Sequence, residues 1–157
     1  MEASGVPWWV GTALALLSPA LPSPALPGGA DAGPAAVPAL AVLHHWDAAR
    51  ATAWAAGDVL ALRRLYTPRS AAGRADVRLL RRYLARGLRV QEMATQVFSA
   101  RVLADRPHLL RLVVVERLAG GVVGRDGVQV PLPRDRADRH TITLRRVGGR
   151  WLVAGVR

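Results

Sequence analysis

The spacing of apolar side chains divides the chain into a helical front and a strand-rich back. From about Ala39 to Ala56 the sequence is Ala-rich, and Leu43, Trp46 and Ala53 recur at helical spacing. Gly57 is placed to end that helix and Asp58 to cap a second, short one, with Val59, Leu62, Leu65 and Tyr66 on one face. Thr67-Pro68 stops it. A third helix is predicted over about Ala75 to Arg86. Its residues Arg74, Arg78, Arg81, Arg82 and Arg86 fall within an arc of about 140°, opposite Val77, Leu80, Tyr83 and Leu84.

After Gly87 the period changes to alternation. Arg89 to Leu103 reads as a long strand, with Phe98 and Val102 on one face and Val97 and Leu103 on the other. His108 to Leu118 is apolar on both sides except at Arg111, Glu116 and Arg117, which predicts a central strand. Val122 to Leu132 resembles a looser hairpin turning at Arg125-Asp126-Gly127, kept at an edge by Pro131 and Pro133. Arg134 to Asp138 reads as loop. Arg139 to Val147 and Arg150 to Val156 then pair around Gly148-Gly149, so that Ile142, Leu144, Trp151 and Val153 share a face.

Residues 1–35 have a different pattern. Pro7 to Leu17 is apolar, of the length of a signal-peptide core and too short to span a bilayer. Prolines at 19, 22, 24 and 27 keep its helix from continuing, and Gly28 to Pro38 is an Ala/Gly/Pro-rich linker. No basic residue precedes the apolar run, so an uncleaved anchor or a disordered leader stand beside the secretory reading. The division is therefore a leader and linker over 1–35 and one domain over 36–157. An exported, extracytoplasmic protein is expected, with a cytoplasmic one as the alternative.

With no cysteine in 157 residues, disulfides, thiolate metal sites and thiol catalysis are excluded. The net charge of +11 is made entirely of Arg: there are 22 Arg and no Lys or Asn, and Ile142 and Phe98 are single occurrences. This usage points to a G/C-rich genome and dilutes the meaning of the charge for partners. The surface still attracts phosphates or anionic lipid non-specifically. Arg74, Arg78, Arg81, Arg82 and Arg86 form the densest basic patch, read first as a solvated face and second as an anion-binding one.

The Gly57-Asp58 junction, the run Leu62-Arg63-Arg64-Leu65-Tyr66-Thr67-Pro68 and the closing Gly149-Arg150-Trp151, together with three leading helices, resemble the nuclear-transport-factor-2-like superfamily. The resemblance spans Ala39 to Arg157 and is of an actinobacterial type. It implies an α+β cone, with three helices packed on a strongly bent antiparallel sheet. The superfamily includes ketosteroid isomerase and polyketide cyclases, which use buried Asp, Tyr and His for proton transfer, and members without a catalytic role. No catalytic position carries over residue by residue.

Three readings of function are open. The leading one is a non-catalytic exported binding or interaction module with an apolar pocket lined by Trp46, Trp54, Tyr66, Ile142, Leu144, Trp151 and Val153, its ligand unknown and self-pairing a further expectation. The second is an isomerase, dehydratase or cyclase for a small hydrophobic substrate, using His140 or Tyr66 with Asp138 as acid and base; among the strand candidates only Glu92, Glu116 and His140 offer a base. The third is a binder of polyanions or anionic membranes through the Arg-rich helix. No cofactor is expected. His44-His45-Trp46-Asp47 lacks a closed zinc ligand set, so no metal is expected either.

Overall fold

The computed structural model describes residues 36–123, 127, 129–131 and 136–157. The leader and linker lie outside this range, as do most of the expected turn at residues 124–128 and residues 132–135. Three helices come first: α1 (Ala36–Ala56), α2 (Val59–Arg63) and α3 (Ala71–Ala85). Five strands come after them: β1 (Arg89–Arg106), β2 (Leu109–Val123), β3 (Gln129–Pro131), β4 (Asp138–Val147) and β5 (Arg150–Val156). The four long strands form one antiparallel sheet in the order β1-β2-β4-β5, and β3 pairs with the end of β2. The expected α+β class, helices on an antiparallel sheet, is what the chain adopts. None of the described helices is long and apolar enough to cross a membrane.

Local chemistry accounts for the helix boundaries. Gly57 takes φ +67° and Asp58 accepts hydrogen bonds from the Leu60 and Ala61 amides, both at 2.9 Å. That satisfies two of the amides a helix start leaves without partners. The first helix begins at Ala36, three residues ahead of the periodic signal, because Pro38 is tolerated in a first turn. The third begins at Ala71, not Ala75: Ser70 caps it, its Oγ accepting from the Gly73 amide at 3.2 Å.

The fold uses the missing side chain of Gly73. A Cβ at this position would lie 2.5 Å from Tyr66 Cγ and 2.6 Å from Tyr66 Cβ, so the tyrosine ring rests directly on the first turn of α3. Gly73→Ala should therefore destabilise the protein by about 1–3 kcal/mol through overpacking, against the roughly 1 kcal/mol that alanine gains in helix propensity. Urea unfolding followed by tryptophan fluorescence measures the balance. A net gain in stability would show that Tyr66 moves aside at little cost.

The sheet confirms β2 as central and corrects the faces of β1. Register shifts fall between Gln91 and Ala94, Val97 and Ser99, and Val102 and Ala104, with Glu92 at φ +55° in the first. Each bulge resets the alternation and bends the strand. Val97 and Val102 consequently both pack on the core, whereas Leu103 is exposed and Phe98 lies under the Arg117 guanidinium at 5.4 Å. The closing hairpin pairs Leu144 with Val153 and Arg146 with Trp151, as the Gly148-Gly149 turn predicts.

The core lies between the helices and one face of the sheet. Leu43, Trp46 and Trp54 of α1 meet Leu110, Leu112 and Val114 of β2, Ile142 and Leu144 of β4, and Val153 of β5. The link between α2 and α3 is stitched to β5 through the Tyr66↔Val153 bridge, where the Thr67 amide donates to the Val153 carbonyl and the Val153 amide to that of Leu65. This stitch brings Tyr66 under α1.

Candidate functional site

Two charged side chains enter the core from helix faces that are otherwise apolar. Arg50 shares the buried stripe of α1 with Trp46 and Trp54, at four-residue spacing, and Asp76 sits beside Val77 on the inward face of α3. They meet in a two-pronged ion pair: Arg50 Nε donates to Asp76 Oδ2 at 2.7 Å and Nη2 to Oδ1 at 3.0 Å. Trp54 Nε1 donates to Oδ1 at 3.1 Å, and the Tyr66 hydroxyl donates to Oδ2 at 2.6 Å. Four donors thus converge on one carboxylate.

The electrostatics keep this set closed. Burial alone opposes the charge on Arg50, but attraction to Asp76, and after it to Tyr66, holds its pKa above the ordinary value. Tyr66 is pushed well above its usual range by burial and then by the Asp76 charge, so it stays a phenol and keeps donating. These groups have no capacity left for a substrate proton. They fix α1 to α3.

On the other side of Arg50 lies a pair of carboxyl groups with spare capacity. Glu116 continues the inward-facing series Leu110, Leu112, Val114 on β2, and Asp47 stands one turn before Arg50 on α1. Asp47 Oδ2 and Glu116 Oε2 are both buried without a hydrogen-bond partner. Burial raises Asp47 to about 6, offset in part by the Arg50 charge and by hydrogen bonding from Thr95 of β1. Glu116 is raised to about 8 by burial and then by the negative charge of Asp47, with Arg50 opposing. At neutral pH the pair therefore consists of a protonated Glu116 and a largely ionised Asp47. It can both donate and accept a hydrogen bond.

The strand register places two of the sequence candidates beside this pair. Asp138 is directly opposite Glu116, and His140, itself buried, is opposite Val114 and so diagonal to Glu116. His140 Nε2 stands 4.0 Å from Asp138 Oδ2. Tyr66 does not join them, since its hydroxyl is committed to Asp76.

Apart from Tyr66, which is buried against Trp46, the residues read as pocket wall divide in two. Trp54, Ile142, Leu144 and Val153 are fully packed inside the core. Trp46 and Trp151 line a cleft of about 430 Å³ between α1 and the closing hairpin, which also receives His45 and Arg64. Trp46 is held in place by donation from Nε1 to the Leu65 carbonyl at 2.8 Å and by an edge-on contact with the Tyr66 ring. His44 and His45 are exposed, and among the described residues no group of three His, Cys, Asp or Glu could hold a metal ion. Arg74, Arg78, Arg81, Arg82 and Arg86 are all exposed on the outer face of α3.

Sequence reasoning passed over Arg50, Asp76 and Asp47 as interior groups and counted Glu116 only as a strand acid. A usable signal existed for two of them. Arg50 and Asp76 each interrupt an apolar helical stripe, and opposite charges on two buried faces are the pattern a buried pair requires.

No protein-family model matches the chain, and no curated protein matches it. Solved structures do. A protein from Catenulispora acidiphila is 15% identical, with 78% of this chain and 91% of that one covered and a TM-score of 0.54. A calcium/calmodulin-dependent protein kinase II association-domain type protein from Xanthomonas campestris is 16% identical over 85% and 95%, with a TM-score of 0.52. An aromatic-ring-hydroxylase type protein from Novosphingobium aromaticivorans is 15% identical over 74% and 84%, with a TM-score of 0.51. Neighbours of such different kinds, at such low identity, speak to architecture and not to activity. The chain has the nuclear-transport-factor-2-like fold, one that serves binding proteins and enzymes alike.

Proposed function

We propose that the protein is a non-catalytic, exported binding module of this fold, and that it holds a small, largely apolar molecule through the Asp47–Glu116 carboxyl pair. The observation that carries the reading is the two buried, unpartnered oxygens, Asp47 Oδ2 and Glu116 Oε2. A buried polar atom without a partner costs about 1–3 kcal/mol, which a ligand hydroxyl or amine recovers on binding. The apolar leader supports the exported part of the reading.

Thermal-shift screening of small hydrophobic alcohols and amines tests it. Hits should lose their stabilising effect in Glu116→Gln and Asp47→Asn, while ligands without a donor group give none. Hits that stabilise both variants as well as the parent would remove the carboxyl pair from the site.

A second reading, a proton-transfer enzyme, is favoured by one observation: the two carboxyls are pushed up to about 6 and about 8, either side of neutrality. Environments that split two neighbouring titrations in this way suit a general base and a general acid. Asp47 would then take a proton from carbon and Glu116 supply one to the developing oxyanion. Exchange of α-protons of cyclic ketones in D2O, abolished by Glu116→Gln or Asp47→Asn, would establish this reading in place of the first.

A further inference from the structure

The basic residues of α3 do not act alone. Arg74, Arg78 and Arg81 line one side of a groove of about 610 Å³ whose other side carries Arg63 and Arg64 from α2 and the residue after it. All five are exposed, and no acidic residue lines the groove. Among the described residues none of the five pairs with a carboxylate; the one bond they make within the protein by side chain is from Arg74 Nη1 to the Arg69 carbonyl at 3.1 Å. A groove of this volume is of the size that takes a small molecule.

Codon usage accounts for Arg being present where Lys could be. It does not account for five guanidinium groups from two elements facing one depression with no counter-charge. An anion bound among them adds attraction to what solvent screening provides, and guanidinium groups match phosphate oxygens in paired hydrogen bonds. The first turn of α3, at Ser70 and Gly73, also borders the groove and adds the positive end of a fifteen-residue helix. Arg82 and Arg86 belong to the same exposed helix face but lie outside the groove, which separates a shaped site from a diffuse charge.

We propose that this groove binds a compact, multiply charged phosphate group, presented either by a soluble phosphorylated molecule or by a phospholipid headgroup. The site is independent of the carboxyl pair inside the fold. Isothermal titration of the full chain with tripolyphosphate, at about 0.15 M salt where diffuse surface attraction is largely screened, provides the first arm. Binding should saturate at one site. Arg63→Gln/Arg78→Gln should weaken it about tenfold or more, and Arg82→Gln/Arg86→Gln, which removes the same charge, by less than about threefold.

Sedimentation with vesicles of phosphatidic acid, whose headgroup is a phosphate monoester, or of phosphatidylcholine provides the second arm. Capture by the anionic vesicles alone, lost with the groove pair and kept with the outer pair, assigns the phosphate to a headgroup. Tripolyphosphate binding without such capture assigns it to a soluble molecule. Equal weakening by the two double variants, or neither saturable tripolyphosphate binding nor groove-dependent capture, overturns the proposal. Both variants change exposed side chains only, and an unchanged unfolding midpoint verifies that each is folded.

Discussion

Asp76→Ala will cost the protein about 3–5 kcal/mol of stability, because it breaks the two-pronged ion pair while the Arg50 guanidinium stays charged and buried. The same change removes the carboxylate to which the Tyr66 hydroxyl and Trp54 Nε1 both donate. Domains of this size are stable by only about 5–15 kcal/mol, so the variant stands near the edge of folding. Urea unfolding followed by tryptophan fluorescence measures the loss. Removing both charges, as in Arg50→Met/Asp76→Leu, should cost less than removing Asp76 alone, since a buried pair contributes less than an unpaired buried charge subtracts. A double variant as unstable as the sum of its two single changes would show that the two residues act separately. An Asp76→Ala loss below about 1 kcal/mol would show that water reaches the site.

Stability will fall as the pH rises from about 4 to 8, and Glu116 will cause most of the fall. Its folded pKa, about 8, lies above the usual 4.5, so between these values the folded chain keeps a proton that the unfolded chain has lost. Protonation then favours folding, and the advantage disappears as pH climbs through the folded pKa. Asp47 adds a smaller contribution of the same sign between its ordinary 3.8 and about 6. Each tenfold gain in proton affinity is worth about 1.4 kcal/mol, and Glu116 gains more of them on folding than Asp47 does. Glu116→Gln should flatten the profile above pH 6 and be more stable than the parent at pH 8.5. Melting temperatures of both proteins across this range are the measurement. Parallel profiles for the two would place the Glu116 carboxyl in contact with solvent.

These two results would separate the roles of the interior charges. Arg50, Asp76, Tyr66 and Trp54 form a satisfied network that ties α1 to α3 and stabilises the fold only as a complete set. Asp47 and Glu116 destabilise it at neutral and alkaline pH, which is the usual sign of groups retained for contact with something else. Arg50 sits between them, its Nε and Nη2 on Asp76 and its Nη1 toward Met93 Sδ at 3.8 Å. Its charge holds both carboxyl pKa values below where burial alone would take them.

Features that depend only on neighbours along the chain were legible before any fold was known. The Gly57-Asp58 junction could be read because a left-handed glycine and a capping carboxylate act over three or four residues. The closing hairpin could be read because a two-residue glycine turn sets its own register. Central β2 could be read because its apolar run is nearly continuous, although the fold buries only the face of Leu110, Leu112 and Val114 and leaves Val113 and Val115 half-buried. Long-range packing settled the remainder. Three bulges in β1 carry no periodic signal, and they sent Val97 and Val102 to the same side. The Tyr66 ring rests on Gly73 of α3, a contact positioned by the bridge from Tyr66 to β5. The ion pair joins residues 26 positions apart, and the electrostatic effect of Asp47 on Glu116 runs from a helix to a strand. A charge on an apolar stripe is legible as an anomaly, but its partner, and with it the difference between a brace and a binding site, depends on which faces the fold brings together.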